Sequence, residues 1–169
     1  LALRLSRDSR EAEARQIDQY ESLLPFTKEV EALRSARRLA DSGQVVLAAG
    51  EGRNALWLAE RGWEVTAVDF SLVGLDKGRA LQERHPRGRD LHVDWVHADA
   101  LTYEGGPVPF DLVLVAYLQL PADERRTAVR RAFGALRVGG TFFLVAHDST
   151  NFTEGTGGPT DPTVLYTAE

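Results

Sequence analysis

From Gln44 onward, short apolar runs alternate with segments of helical period, and this alternation limits the possible folds more than any other feature of the chain. Val45-Val46-Leu47-Ala48-Ala49 is a continuous apolar run of the kind buried on both faces of a sheet, and it ends in Gly50-Glu51-Gly52. A helix over Asn54 to Arg61 follows, stopped by Gly62, and then a strand over Glu64 to Asp69. The cycle repeats with a helix from Ser71 to about Arg84, a strand over Leu91 to His97 and a loop holding Gly105-Gly106-Pro107. A strand over Phe110 to Ala116, a helix over Pro121 to Arg137 and a fifth strand over Thr141 to His147 complete it. Parallel neighbours need long crossovers, so this spacing predicts a doubly wound α/β fold with a mostly parallel sheet and helices on both faces.

Residues 1–43 read differently, with no glycine before Gly43 and a single proline, Pro25. Val30, Leu33, Ala36 and Ala40 fall at helical spacing and predict an amphipathic helix over 25–41, with another over 8–20. The expected division is an N-terminal helical segment, 1–43, and a domain, 44–169. Arg34, Arg37 and Arg38 read as a solvated helix face beside Glu29 and Glu31. The chain has 169 residues and no cysteine, which excludes a disulfide framework, a thiolate zinc site and a cysteine nucleophile. Its four histidines are too scattered to suggest a metal site. A net charge of −5 argues against nonspecific nucleic-acid binding and leaves a small molecule as the expected partner. No run approaches the ~18 apolar residues of a membrane span, and Leu1 to Leu5 are too few and too charged for a signal-peptide core, so a cytoplasmic place is expected. The absence of methionine and the helix-like ending Thr167-Ala168-Glu169 suggest a piece of a longer protein.

Open parallel sheets bind ligands beyond the carboxyl ends of their strands. The first such end is Gly50-Glu51-Gly52-Arg53-Asn54-Ala55, where glycine lets a ligand approach the main chain and the next helix offers free N–H groups. A glycine pair there is also an ordinary tight connection. Asp69 ends the second strand 19 residues after Gly50, near the interval at which a carboxylate meets an adenosine ribose. It equally suits capping the helix that starts near Ser71. Asp99 follows the third strand, where it can accept from an adenine amino group or simply form a turn.

Together these segments resemble class I S-adenosylmethionine-dependent methyltransferases, closest to the tellurite-resistance-type and related small-molecule branch. Gly50 to Ala55, Leu58-Ala59-Glu60-Arg61-Gly62-Trp63 and Val65-Thr66-Ala67-Val68-Asp69-Phe70-Ser71 carry the likeness most specifically. It runs from about Val45 to Ala146 and takes in His97-Ala98-Asp99-Ala100, Phe110 to Val115 leading into Tyr117, and Leu136-Arg137-Val138-Gly139-Gly140. The resemblance implies a Rossmann-like sheet, S-adenosyl-L-methionine as cofactor and methyl transfer to a small-molecule nucleophile. It also implies that Gly50, Glu51 and Gly52 contact the methionine part, with Arg53 and Asn54 closing the turn. Asp69 would hold the ribose, Phe70 line the adenine, and Asp99 with Ala100 face the adenine edge. Ala116 and Tyr117 would border the sulfonium and the acceptor. The chain departs from the pattern at Val46, where an acid is usual, and at Val138, where proline is common. The class implies seven strands and only five fit before Glu169, so C-terminal strands are expected to be missing from this sequence.

A methyl on sulfonium is already activated, so alignment and exclusion of water are the main tasks, and a base is needed only for a protonated nucleophile. No catalytic residue is singled out; Tyr117 and His147 are the substrate-side candidates. Residues 147–159 suit a lid or a solvent loop, and Trp57 and Trp63 suit packing of the first helix on the sheet. Two rival readings stand. Gly50-x-Gly52-x-x-Ala55 with Asp69 also fits the dinucleotide fingerprint of an NAD(P)-dependent oxidoreductase, and Val46 leaves room for a noncatalytic cofactor-binding protein. Asp99 and Gly139-Gly140 favour the methyltransferase.

Overall fold

A computed structural model describes residues 43–155 and 157–167. The helices expected over 8–20 and 25–41, with their arginines, lie outside the described residues. Five strands, β1 Gln44–Leu47, β2 Val65–Asp69, β3 Val93–His97, β4 Phe110–Ala116 and β5 Leu136–Val145, form one sheet in the order β3-β2-β1-β4-β5. Every neighbouring pair is parallel. Helices α1 Arg53–Glu60, α2 Leu72–Arg84 and α3 Ala122–Gly134 make three of the crossovers, and a loop joins β3 to β4. This is the parallel sheet the alternation predicts and the Rossmann-like arrangement the resemblance implies.

The chain moves outward from β1 to β2 and β3, then returns to β4 and β5. β1 and β4 therefore lie side by side, and their carboxyl ends border the crevice at which such a sheet takes a ligand. Burial explains the pairing. Phe110, Val113 and Val115 of β4 join Leu47 and Val68 in one apolar cluster with Ala132 and Ala135. Ala128 and Ala132 are the buried residues of α3, so a stripe of small side chains lets an otherwise Arg-rich helix come close to the sheet.

The boundaries around β5 differ most from the sequence expectation. The helix ends at Gly134 instead of Arg137, and β5 begins at Leu136 instead of Thr141. Phe110 pairs with Leu136 and Leu112 with Thr141, so Arg137 to Gly140 bulge out within the strand. Gly139 at φ 75° supplies the reversal, and an ion pair from Arg137 to the buried Asp111 ties the bulge to β4. β5 ends at Val145, which leaves His147 two residues past the strand. Among the described residues no helix is long and apolar enough to cross a membrane.

Candidate functional site

Beyond β1 and beyond β4 the chain takes the same uncommon turn. Ala48 at φ 56° and Tyr117 at φ 55° are the described non-glycine residues in the left-handed region, which costs a residue with a side chain roughly 1–2 kcal/mol. Strain at the ends of two adjacent strands, at the crevice, marks a site whose surroundings hold the backbone there.

After Ala48 the turn runs through Gly50 at φ 54° and Gly52 at φ 77°. The two glycines do different jobs. A Cβ on Gly50 would meet nothing within 4 Å, so its main chain faces open space, whereas one on Gly52 would run into the indole of Trp95 on β3. Asp69, only 7% exposed, lies against the turn. Its Oδ2 accepts from the Gly50 N–H at 2.7 Å and its Oδ1 from the Ser71 N–H at 2.8 Å. The Ser71 hydroxyl then accepts from the Gly74 N–H at 3.1 Å and caps α2. Asp69 thus braces the glycine turn and the helix start together, and a carboxylate with about four acceptor positions keeps capacity for further donors.

Glycines on α2 let it approach this turn. A Cβ on Gly74 would stand 2.9 Å from the Gly50 carbonyl, and one on Gly78 would stand 3.0 Å from the Glu51 carbonyl and enter the Trp95 ring. Trp95 is held in that slot because its Nε1 donates to Gln82 Oε1 at 2.8 Å, while Gln82 Nε2 donates to the Leu91 carbonyl at 2.8 Å. Lys77, also on α2, donates to Glu51 at 2.8 Å, and Arg53 reaches the other carboxylate oxygen at 3.3 Å. The Lys77 hydrogen bond, ahead of the charge of either cation, holds the Glu51 carboxyl below its ordinary range. Arg53 and Asn54 form the first turn of α1. Trp95, Lys77, Gly74 and Gly78 escaped the sequence reading; two glycines four apart in a helical segment were the available signal.

At the rim, the Ala98 N–H donates to the Asp69 carbonyl at 3.1 Å, which sets the ends of β2 and β3 side by side. Asp99 forms the turn that precedes β4: its Oδ1 accepts from the Leu101 N–H at 2.8 Å and its carbonyl from the Tyr103 N–H at 2.9 Å, with Ala100 inside the turn. Phe70 is 77% exposed, and His97 Nε2 donates to its carbonyl at 2.9 Å. Trp63 is buried as expected, but Trp57 lies under the Arg61 guanidinium, 3.7 Å from the ring centroid.

On the acceptor side, Ala116 is buried and the Tyr117 N–H donates to the Val145 carbonyl at 2.8 Å. The Tyr117 and His147 rings meet at 4.9 Å. The segment after β5 contains a short helix, α4 Asn151–Glu154, and a 3-10 turn at Pro162–Val164, and is strapped back by Tyr166. The Tyr166 N–H donates to the His147 carbonyl at 2.9 Å, its hydroxyl donates to the Leu118 carbonyl at 2.9 Å, and Arg125 stacks 4.3 Å over its ring. The structure therefore brings Gly50 to Asp69 and Tyr117 to His147, while the Glu51 carboxylate is engaged by Lys77 and Arg53.

This geometry is a known one. The family described as "Methyltransferase domain" matches residues 45–140, more than half of the chain. The chain belongs to the methyltransferase-domain family. The match runs through Asp99 and Gly139-Gly140, the features that separate this pattern from the dinucleotide fingerprint. Among solved structures, the CcbJ methyltransferase from Streptomyces caelestis is 29% identical over 79% of this chain, with a TM-score of 0.62. The glycopeptide N-methyltransferase MtfA in complex with S-adenosyl-L-methionine is 24% identical over 75%, TM-score 0.60. An S-adenosylmethionine-dependent methyltransferase from Clostridium acetobutylicum is 16% identical over 85%, TM-score 0.63. The last two speak to the fold alone. The chain spans 53%, 57% and 61% of those three proteins. No curated protein matches it.

S-adenosyl-L-methionine is the cofactor of such methyltransferase domains, and the residues present fit it. The open space over Gly50 admits a ligand to the main chain, and the Asp69 carboxylate beside it retains acceptor capacity for hydroxyl donors.

Proposed function

We propose that this chain carries the cofactor-binding part of an S-adenosyl-L-methionine-dependent methyltransferase that acts on a small-molecule nucleophile. The contact between the Gly50 N–H and the Asp69 carboxylate carries the reading, because it unites the glycine turn and the acid that sequence spacing had only set 19 residues apart. The bound group supplies a methyl already activated on sulfonium. The chain's task is to hold, orient and dry the site.

Asp69 would hold the ribose hydroxyls, and Gly50 would offer main chain to the methionine part, with Gly52 fixing the turn from behind. Glu51 between Lys77 and Arg53 presents both signs of charge, which suits an α-amino acid end. Phe70 and the Asp99-Ala100 turn would border the adenine. Ala116 and Tyr117 would border the acceptor, and His147, in contact with the Tyr117 ring, is the candidate base where the nucleophile carries a proton. The likeness of Gly50 to Trp63 to the tellurite-resistance-type and small-molecule branch, together with the acidic charge balance, supports a small acceptor.

Calorimetric titration with S-adenosylhomocysteine and with NAD tests this. The expected result is binding of the adenosyl ligand, no response to NAD, and loss of most adenosyl affinity in Asp69→Ala. NAD binding without an adenosyl response would return the chain to the oxidoreductases. Adenosyl binding with no turnover on any acceptor would favour a noncatalytic binder, and wild-type affinity in Asp69→Ala would remove the ribose role.

A further inference from the structure

Gln82 shows how this fold treats a half-buried side-chain amide, since both its ends are hydrogen-bonded. Gln119 is the contrast. Its Nε2 and Oε1 are both closed off from solvent and neither has a hydrogen-bond partner. Buried amides in folded proteins are almost always paired, so an idle donor and acceptor on one side chain require a reason. The position supplies one. Gln119 lies three residues past β4, on a backbone fixed by the left-handed Tyr117, by the Tyr117 N–H on Val145 and by the Tyr166 hydroxyl on the Leu118 carbonyl. It stands two residues past Tyr117, whose ring meets His147, on the stretch where the methyl-transfer reading puts the acceptor.

We propose that the Gln119 amide is the group that binds the methyl acceptor, and that the acceptor is a small neutral nucleophile with an N–H or O–H, such as a free-base amine or a hydroxyl. This rests on the methyl-transfer reading above. An amide offers one donor set and one acceptor and bears no charge at any pH, so it matches a group that both donates and accepts. It gives nothing to compensate a buried ammonium, which is why the acceptor must arrive neutral. Gln119 Oε1 accepts from the nucleophile's N–H or O–H and so fixes the direction of its lone pair, while the proton released on methylation passes to His147, the candidate base, or to water, since an amide cannot take it.

The test uses the whole chain with Gln119→Leu and with the length-matched Gln119→Met. Four quantities are read: thermal midpoint, calorimetric affinity for S-adenosylhomocysteine, transfer of labelled methyl to a primary alkyl amine, a phenol and a primary alcohol, and the Gln119 side-chain amide resonance with each acceptor added beside S-adenosylhomocysteine. Both variants are expected to melt at or above the wild-type temperature and to bind S-adenosylhomocysteine as wild type does. On the acceptor that wild type methylates, both should lose at least tenfold in kcat/KM, chiefly through KM, and that acceptor should shift the Gln119 resonance. A lower melting temperature in both variants, or unchanged kcat/KM, overturns the proposal. So does a wild-type chain that binds S-adenosylhomocysteine yet neither methylates any of the three nor shows a shifted resonance. Failure of wild type to bind S-adenosylhomocysteine would instead overturn the methyl-transfer reading, and this proposal with it.

Discussion

Alanine in place of Gly78 would raise helix propensity by about 1 kcal/mol, yet the surroundings reverse the sign. The added Cβ would enter the Trp95 ring and press on the Glu51 carbonyl, which is main chain of the glycine turn. Trp95 cannot swing aside without giving up its hydrogen bond to Gln82. Overpacking of this kind costs roughly 1–3 kcal/mol, so Gly78→Ala is expected to destabilise by about 1 kcal/mol net and to weaken S-adenosylhomocysteine binding by displacing the turn. Adding Trp95→Leu should restore part of the loss, and strictly additive costs in that double-mutant cycle would show that ring and glycine do not meet. Gly50 and Asp69 were legible in the sequence because a local rule, strand end plus interval, names them. Trp95 and Gln119 were not: a tryptophan within a strand looks like any core aromatic, and an amide past a strand like any loop residue. Their meaning arises from three-dimensional neighbours, or from the lack of them. Asp69 was legible as a ribose holder or a helix cap; in the structure Ser71 is the cap, and the two Asp69 oxygens brace the glycine turn and the Ser71 N–H.

The segment from Asp148 to Tyr166 carries the same device near each end. Asp148 Oδ1 accepts from the Thr150 N–H at 2.9 Å and its hydroxyl at 2.8 Å, and Asp161 Oδ1 accepts from the Thr163 N–H at 2.9 Å and its hydroxyl at 2.7 Å. These bonds, the Thr150 N–H foremost at Asp148 and the Thr163 hydroxyl foremost at Asp161, hold both carboxyls below their ordinary range. A lowered folded value means that the stabilisation is complete above the unfolded value and is lost as pH falls through the folded one. The strap is therefore expected to loosen below about pH 4 while the sheet persists. Amide resonances of Thr150 and Thr163 should titrate with midpoints below those of an unstructured peptide carrying the same residues, and equal midpoints would contradict the lowering. From sequence this segment read as a lid or a solvent loop, because polar, glycine-rich stretches say nothing about a later tyrosine that ties them down. The β5 boundary was misread for a related reason: Gly139-Gly140 looks like a connection, and only pairing with Phe110 reveals Leu136 as already in the strand.

Strand alternation announced a parallel sheet, but its order, with β1 and β4 adjacent at the reversal, is a property of the assembled molecule. That order sets a gradient of stability. β4 is paired on both sides and buried along most of its length, whereas Ser149 and Asn151 sit in the strap on isolated turn and bridge bonds. Amides of Val113 and Val115 should exchange with solvent at the rate of global unfolding, and those of Ser149 and Asn151 far faster through local opening. A ligand that binds only the folded chain then provides a test of site and fold together. S-adenosylhomocysteine at a hundred times its Kd adds about 2.7 kcal/mol to global stability, so Val113 and Val115 should slow roughly a hundredfold although they need not touch the ligand. Amides that exchange by local opening respond only where the ligand contacts the opening segment: Gly50 and Ser71, bonded to Asp69, should slow strongly, whereas Asp90 in the turn at the amino end of β3 should not. Slowing at Val113 without slowing at Gly50 would mean that the ligand is held somewhere other than the turn braced by Asp69.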